Sequence, residues 1–186
     1  GKTGSAAFPG YFYIQEPGAL QGLKVVSPTV VSPGDQVDVA GNISGAGAER
    51  YINASSGLVM KTSPGPGVPA AVSMGNASLG GVRLTPYAPG VMGGIGPNNI
   101  GLYVVSWGKV TQRQTTGSKY FYIDSGEGLK DGTTTGGVPN VGVRVIADPA
   151  SYPEGSYVAV TGISSIFTSS EYRRQILATG IQTLRP

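Results

Sequence analysis

Tyr11-Phe12-Tyr13-Ile14 and Tyr120-Phe121-Tyr122-Ile123 are the same four residues, met twice in one chain of 186. Aromatic and β-branched residues favour strands. Each copy runs into a turn-forming segment, Gln15-Glu16-Pro17-Gly18 after the first and Asp124-Ser125-Gly126-Glu127 after the second. The likeness continues downstream. Gly22-Leu23-Lys24-Val25-Val26 matches Gly142-Val143-Arg144-Val145-Ile146. Pro33-Gly34-Asp35-Gln36-Val37-Asp38-Val39-Ala40-Gly41 matches Pro153-Glu154-Gly155-Ser156-Tyr157-Val158-Ala159-Val160-Thr161-Gly162, with one residue added. Both copies then reach an arginine-bearing run, Glu49-Arg50-Tyr51-Ile52 and Glu171-Tyr172-Arg173-Arg174. The chain reads as a duplication of one strand-built unit.

The two copies differ at their front ends. Leu102–Gln112, with Val104, Val105 and Val110 around Trp107-Gly108, forms a long strand ahead of the second copy and pairs with Lys119–Asp124 through the turn Thr115–Ser118. The first copy is preceded only by Gly1–Gly10, short and rich in small residues. The expected organisation is residues 1–61 as unit one, incomplete at its N-terminus, residues 62–101 as a connector, and residues 102–186 as unit two.

Composition supports an all-β chain. Gly 31 and Pro 14 disfavour long helices, and Val, Ile and Tyr are plentiful. Gln36–Asn42 alternates, with Val37 and Val39 on one face and Gln36, Asp38 and Ala40 on the other. Tyr157, Ala159 and Thr161 alternate with Val158 and Val160 in the same way, and Tyr172–Thr183 closes unit two as a long strand. The connector carries six prolines, at 64, 66, 69, 86, 89 and 97. It reads as an ordered segment wrapping the units, with short strands at Ala70–Ser73 and Val82–Leu84 and a short helix near Asn98–Gly101. Gly126–Gly137 reads as a Gly- and Thr-rich loop.

The repeated order of strands resembles the OB-fold as it occurs in secreted bacterial proteins. The elements that carry the likeness are an aromatic-Ile-acidic strand, a Gly-apolar-basic-apolar strand and a Pro-Gly-Asp-x-Val-x-Val-x-Gly strand, in that order. The resemblance spans Tyr11–Lys61 and Leu102–Leu184. It implies two five-stranded barrels, an extracellular or cell-surface location, and no catalytic residue. Unit one departs from the pattern, since the strand that should precede Tyr11 is missing. Three sources could fill that slot: the connector folding back through Ala70–Ser73, residues preceding this stretch in a longer parent, or a strand donated by a neighbouring subunit. The last route is head-to-tail and propagates unless it closes into a ring.

The sequence excludes several chemistries. With Cys 0 and His 0 there is no disulfide, no thiol nucleophile, no imidazole base, and no His or Cys ligand for a soft metal. The net charge of +3 is scattered and its densest spot is Arg173-Arg174, so nucleic acid is not an expected partner. No apolar run reaches the length of a membrane-spanning helix. Asp124, Glu127 and Asp131 lie in a Gly-rich loop and offer oxygen ligands to a hard cation. Their spacing departs from an EF-hand and Lys130 sits among them, so a plain turn explains them as well. Tyr11, Phe12, Tyr13, Ile14, Trp107, Tyr120 and Tyr122 form the candidate interaction set. Period-two alternation puts Phe12 and Phe121 in the core and leaves the tyrosines partly exposed. Asn42-Ile43-Ser44, Asn53-Ala54-Ser55 and Asn76-Ala77-Ser78 fit the N-glycosylation pattern. The expectation is a non-enzymatic, extracellular structural protein that needs no cofactor and assembles with copies of itself. The competing expectation is a barrel face that binds a glycan or single-stranded nucleic acid.

Overall fold

The computed structural model describes residues 2–3, 8–16, 18, 21–45, 49–63, 65, 67–86 and 88–184. The chain is all-β, and among the described residues the only helical pieces are two 3-10 turns, Asn76–Ser78 and Pro149–Ser151. No helix among the described residues is long and apolar enough to cross a membrane.

Unit one holds β1 (Lys2–Thr3), β2 (Tyr11–Ile14), β3 (Leu23–Val26), β4 (Gln36–Val39), β5 (Asn42–Ser44), β6 (Tyr51–Asn53) and β7 (Val59–Ser63). Its main sheet runs β1-β2-β3-β6-β5, and β4 pairs with β7 apart from it. β2 and β3 are antiparallel, β3 and β6 parallel. β4 and β5 are two pieces of one path, broken at Ala40-Gly41, and they pair antiparallel with the two pieces β7 and β6. The single strand expected over Gln36–Asn42 is therefore split. Val37 and Val39 do face the core, packed against Phe12, Val25, Val31, Ala54 and Val59.

The connector contributes β8 (Val72–Ser73). Unit two holds β9 (Tyr103–Gln114), β10 (Tyr120–Asp124), β11 (Lys130–Thr135), β12 (Val138–Val141), β13 (Val143–Ile146), β14 (Tyr157–Thr168) and β15 (Tyr172–Leu184). Antiparallel pairing links β9 to β10 and β10 to β13. A parallel pair joins β13 to β15, and antiparallel pairs then join β15 to β14 and β14 back to β9. The circuit of pairing returns on itself through five strands, so β9 has a partner on both edges. Its interior holds Val104, Val110, Phe121, Ile123, Val143, Val145, Val158, Val160 and Ile176, each at most 1% exposed.

The two units superpose strand by strand in their pairing. Val25 lies beside Ile52 in the parallel pair of unit one, as Val145 lies beside Ile176 in unit two. That register makes Arg50 the counterpart of Arg174. Two glycines mark the same crossing in each unit. A Cβ on Gly41 would overlap the carbonyl of Asn53, and one on Gly162 would overlap that of Leu177. Asn53 and Leu177 themselves hold equivalent places, opposite Val26 and Ile146.

Three expectations about local structure are corrected. Ala70–Ser73 does not complete unit one: β8 runs parallel to β9, with Val72 opposite Val104, and widens the sheet of unit two. The reason is anchoring just downstream. Met74 packs against the core of unit two and Leu79 lies inside it, while Asn76 bonds Ser106, the Trp107 carbonyl and the Ser125 amide. Second, no helix forms near Asn98–Gly101. The Asn98 amide group donates to the carbonyls of Val82 and Pro89, and that of Asn99 donates to Ser78. These side chains hold loop against loop, so Val82–Leu84 forms no strand. Third, the stretch read as a loop over Gly126–Gly137 contains most of the hairpin β11–β12, with Gly136-Gly137 at φ 58° and 83° in its turn.

Candidate functional site

Alternation along β2 and β10 sends the phenylalanines inward, and Phe12 and Phe121 are buried as expected. The tyrosines occupy the opposite face, but Tyr13 and Tyr122 are 2% and 1% exposed. This corrects the expectation of partly exposed tyrosines, which holds only for Tyr11 and Tyr120. The cause is that the outer face of each motif strand is covered, by different partners in the two units. Tyr13 packs with Phe8 against Ile163 of β14, flanked by Tyr11, Tyr103 and Leu177. Unit two itself is the cover, and the Gln15 side chain accepts from the Tyr103 amide across the same seam. Tyr122 lies instead beneath β11–β12, bonding Asp131 and Thr133 of that hairpin.

Each tyrosine face carries a matching set of charges. In unit one Lys24 sits 4.2 Å over the Tyr11 ring and pairs with Glu49, which accepts from the Tyr13 hydroxyl. In unit two Arg144 sits 4.1 Å over the Tyr120 ring and 4.6 Å from Phe167, while Asp131 accepts from the Tyr122 hydroxyl. The stacked tyrosines meet edge to face at 6.0 Å and 5.9 Å in the two units. Burial, with Glu49 beside it, pushes the Tyr13 hydroxyl far above the ordinary phenol range. Burial also pushes Tyr122 upward; a bond from Thr133 opposes this and Asp131 reinforces it. Both phenols therefore stay protonated as hydrogen-bond donors to a carboxylate. Ile14 completes the motif strand at the β1 pairing.

Asp124, Glu127 and Asp131 are not brought together. Asp124 accepts from Gly128 within its own turn, Glu127 from the Ala77 amide of the connector, and Asp131 from Tyr122 and Thr133. Among the described residues no cluster of three metal-ligating side chains forms. Of the three glycosylation triplets, Asn76 is fully buried and hydrogen-bonded, whereas Asn42 and Asn53 are exposed. Two cavities lie beside the connector. One of about 140 Å³ is lined by Lys24, Glu49, Arg50, Pro89 and Asn98, and a more open one of about 570 Å³ by Arg83, Met92, Glu171 and Tyr172. Each has a single carboxylate in its wall.

Trp107 is 41% exposed on the outer face of β9. Its cross-strand partner is Ala159, and the neighbouring pair is Lys109 with Tyr157, 46% exposed. These residues lie on the same outer face of β14 as Ile163, which unit one covers. Trp107 and Tyr157 thus form the uncovered continuation of the seam between units.

The remaining feature is an edge. In unit two, β9 pairs with β10 from Tyr120 to Asp124 and with β14 from Tyr157 to Ile163. In unit one, β1 stands where β9 would and runs in the same sense, and among the described residues it pairs with Tyr13 and Ile14. β4, the counterpart of the start of β14, pairs with β7 on one edge and with no other strand among the described residues. Among the described residues, the strand expected ahead of Tyr11 is represented by β1.

No family model matches the chain, and no match is found among curated proteins or solved structures.

Proposed function

We propose that the protein is a non-enzymatic, extracellular or cell-surface structural subunit, in which a strand from a second copy completes unit one. The observation that carries this reading is the difference between the units: among the described residues β1 pairs with β2 at two positions, where β9 pairs with β10 at five. An open strand edge exposes backbone donors and acceptors in register for another strand, and the filled slot of unit two supplies the template. Apolar side chains of unit one stand exposed, Val30 at 82% and Met60 at 59%. A donated strand laid beside residues 37–39 of β4 would stand as β9 stands beside β14. Such a contact joins unlike surfaces of two copies and propagates into a filament or surface array.

Size-exclusion chromatography with light scattering, followed by electron microscopy, tests the reading. Concentration-dependent assembly is expected. A synthetic peptide with the sequence Tyr103–Gln114 should compete for the slot and shorten the assemblies. A chain that stays monomeric at high concentration and ignores the peptide would overturn the proposal. So would a longer parent whose own preceding residues fill the slot.

A second reading, glycan binding, rests on Trp107 and Tyr157. Exposed aromatic faces near a lone Lys109 suit a neutral sugar ring better than a polyanion. Titration with oligosaccharides, read by Trp107 fluorescence, decides it, and loss of the response in Trp107→Ala is the expected result.

A further inference from the structure

Arg173 is 5% exposed, yet among the described residues no carboxylate lies within ion-pair distance of it. Its guanidinium donates to the Ser170 hydroxyl at 3.0 Å and approaches the Met92 sulfur at 3.5 Å, and its Nε is buried without a hydrogen-bond partner. Buried charges are ordinarily paired, because an uncompensated one costs several kcal/mol. The neighbouring Arg174 spends its donors on the carbonyls of Leu79, Met92, Ala77 and Gly93, none of which carries a charge. Burial pulls its pKa below the ordinary arginine range, with Glu127 acting against that.

A small cavity lies against both arginines. Its wall is Met92, Leu129, Lys130, Asp131, Gly142, Arg173 and Arg174, and it holds about 10 Å³, the room of roughly one water-sized sphere. The charged groups that face it are Lys130, Arg173 and Arg174, against Asp131 in the wall and Glu127 beside Arg174. Three cations stand against two carboxylates, one positive charge in excess. Both carboxylates are already engaged, Asp131 with Tyr122 and Thr133 and Glu127 with the Ala77 amide.

We propose that this cavity between Arg173, Arg174 and the β11–β13 region is a binding site for a single monatomic anion of halide size. The volume excludes sulfate and phosphate, and one monovalent anion balances the charge. Its position gives it a structural task. Met92 and the carbonyls gripped by Arg174 belong to the connector, while Arg173 and Asp131 belong to unit two, so the anion ties one to the other.

The test is thermal unfolding of the whole chain in sodium chloride or bromide against sodium isethionate at equal ionic strength. A saturable rise of a few degrees in the midpoint with halide is expected, and it should vanish in Arg173→Met. Equal midpoints in the two salts would overturn the proposal, as would an undiminished halide response in the variant. If Arg173→Met does not fold, crystals of the unaltered protein soaked in bromide replace it. An anomalous peak in the cavity supports the site; a cavity holding only water overturns it.

Discussion

Unit two closes its circuit of pairing and unit one, among the described residues, does not, although the same motif strands build both. In unit two β9 is 12 residues long and paired along both edges. In unit one the same place holds, among the described residues, the two residues of β1. The consequence reaches the interior. The core of unit two has eleven buried members, Leu79 and Leu102 of the connector side among them, whereas that of unit one has five among the described residues, Phe12, Val25, Val31, Ala54 and Val59. Closing a sheet on itself does more than satisfy backbone groups: it determines how many side chains can be enclosed. A duplicated sequence therefore yields two units with the same strand order and cores of different size.

The difference is broken most directly in the two cores. Phe121 is fully buried, with the Tyr152 ring 5.5 Å away. Phe121→Ala should cost about 3–5 kcal/mol, the range for deleting a buried ring whose surroundings cannot collapse. Phe12→Ala should cost less, because the core around it has fewer buried members and can relax. Urea unfolding followed by far-UV circular dichroism and by Trp107 fluorescence measures both. A larger loss at Phe12 would contradict the view that unit one is the looser unit. Filling the slot with the Tyr103–Gln114 peptide should narrow the gap between the two variants.

The glycine crossings test the opposite claim, that the units are alike where their strands cross. Gly162→Ala and Gly41→Ala each drive a methyl group into a backbone carbonyl, that of Leu177 or Asn53. Overpacking of this kind costs about 1–3 kcal/mol. Both variants should lose a similar amount in the same unfolding experiment. A tolerated Gly41→Ala would show that the break between β4 and β5 already absorbs the crossing, and that the likeness stops short of it.

Much of this fold was legible because duplication let each copy interpret the other. The paired strands of unit two, including β9 with β10 through Thr115–Ser118, follow from alternation and turn residues. What escaped was long-range. Nothing within residues 62–101 says that Leu79 belongs to the core of unit two, since an apolar residue in a loop carries no period. The hairpin β11–β12 did leave a trace, because Thr133-Thr134-Thr135 ahead of Gly136-Gly137 is β-branched sequence entering a two-residue turn. The burial of Tyr13 and Tyr122 left none. Alternation assigns a side chain to a face of its strand, and only tertiary packing decides whether that face meets solvent, a hairpin or a second unit. The small cavity at Arg173 was equally hidden, although Arg173-Arg174 stood out as the densest basic spot.

The two buried tyrosines sharpen the comparison through pH. The hydroxyls of Tyr13 and Tyr122 ionise in the folded state well above the value near 10 of an unfolded chain. The unfolded state therefore loses these protons first as pH rises. The stability they contribute is complete below pH ~10 and declines above it, until the folded groups themselves ionise. Each group adds a slope of about 1.4 kcal/mol per pH unit in that window. Tyr13→Phe and Tyr122→Phe should each remove one such increment from the alkaline limb of a stability–pH curve. Each should also lose about 1 kcal/mol at neutral pH, where a bond to Glu49 or Asp131 disappears. An unchanged alkaline slope in either variant would mean that its phenol reaches water through a cover that opens. Unit one, covered by docking of unit two, is the place to look first.

The smallest expected difference lies in the stacked cations. Arg144 is held between Tyr120 and Phe167, and Lys24 lies over Tyr11 alone but pairs with Glu49 at 3.3 Å. Cation–π contacts contribute about 0.5–2 kcal/mol according to how far the pair is desolvated. Arg144→Met should fall toward the upper end because it leaves two rings. Lys24→Met should cost ~0.5–1 kcal/mol, and in doing so it removes the cation that balances Glu49. The distinction appears under salt. Lys24 gains part of its effect from an ion pair, so the cost of Lys24→Met should shrink as sodium chloride rises from 0.05 to roughly 0.5 M, where screening shortens the reach of partly exposed charges. The cost of Arg144→Met, which rests on two ring faces, should change little. If both costs shrink alike, the two sets of charges are equivalent in energy as well as in geometry, and the covers over them contribute nothing to the difference between the units.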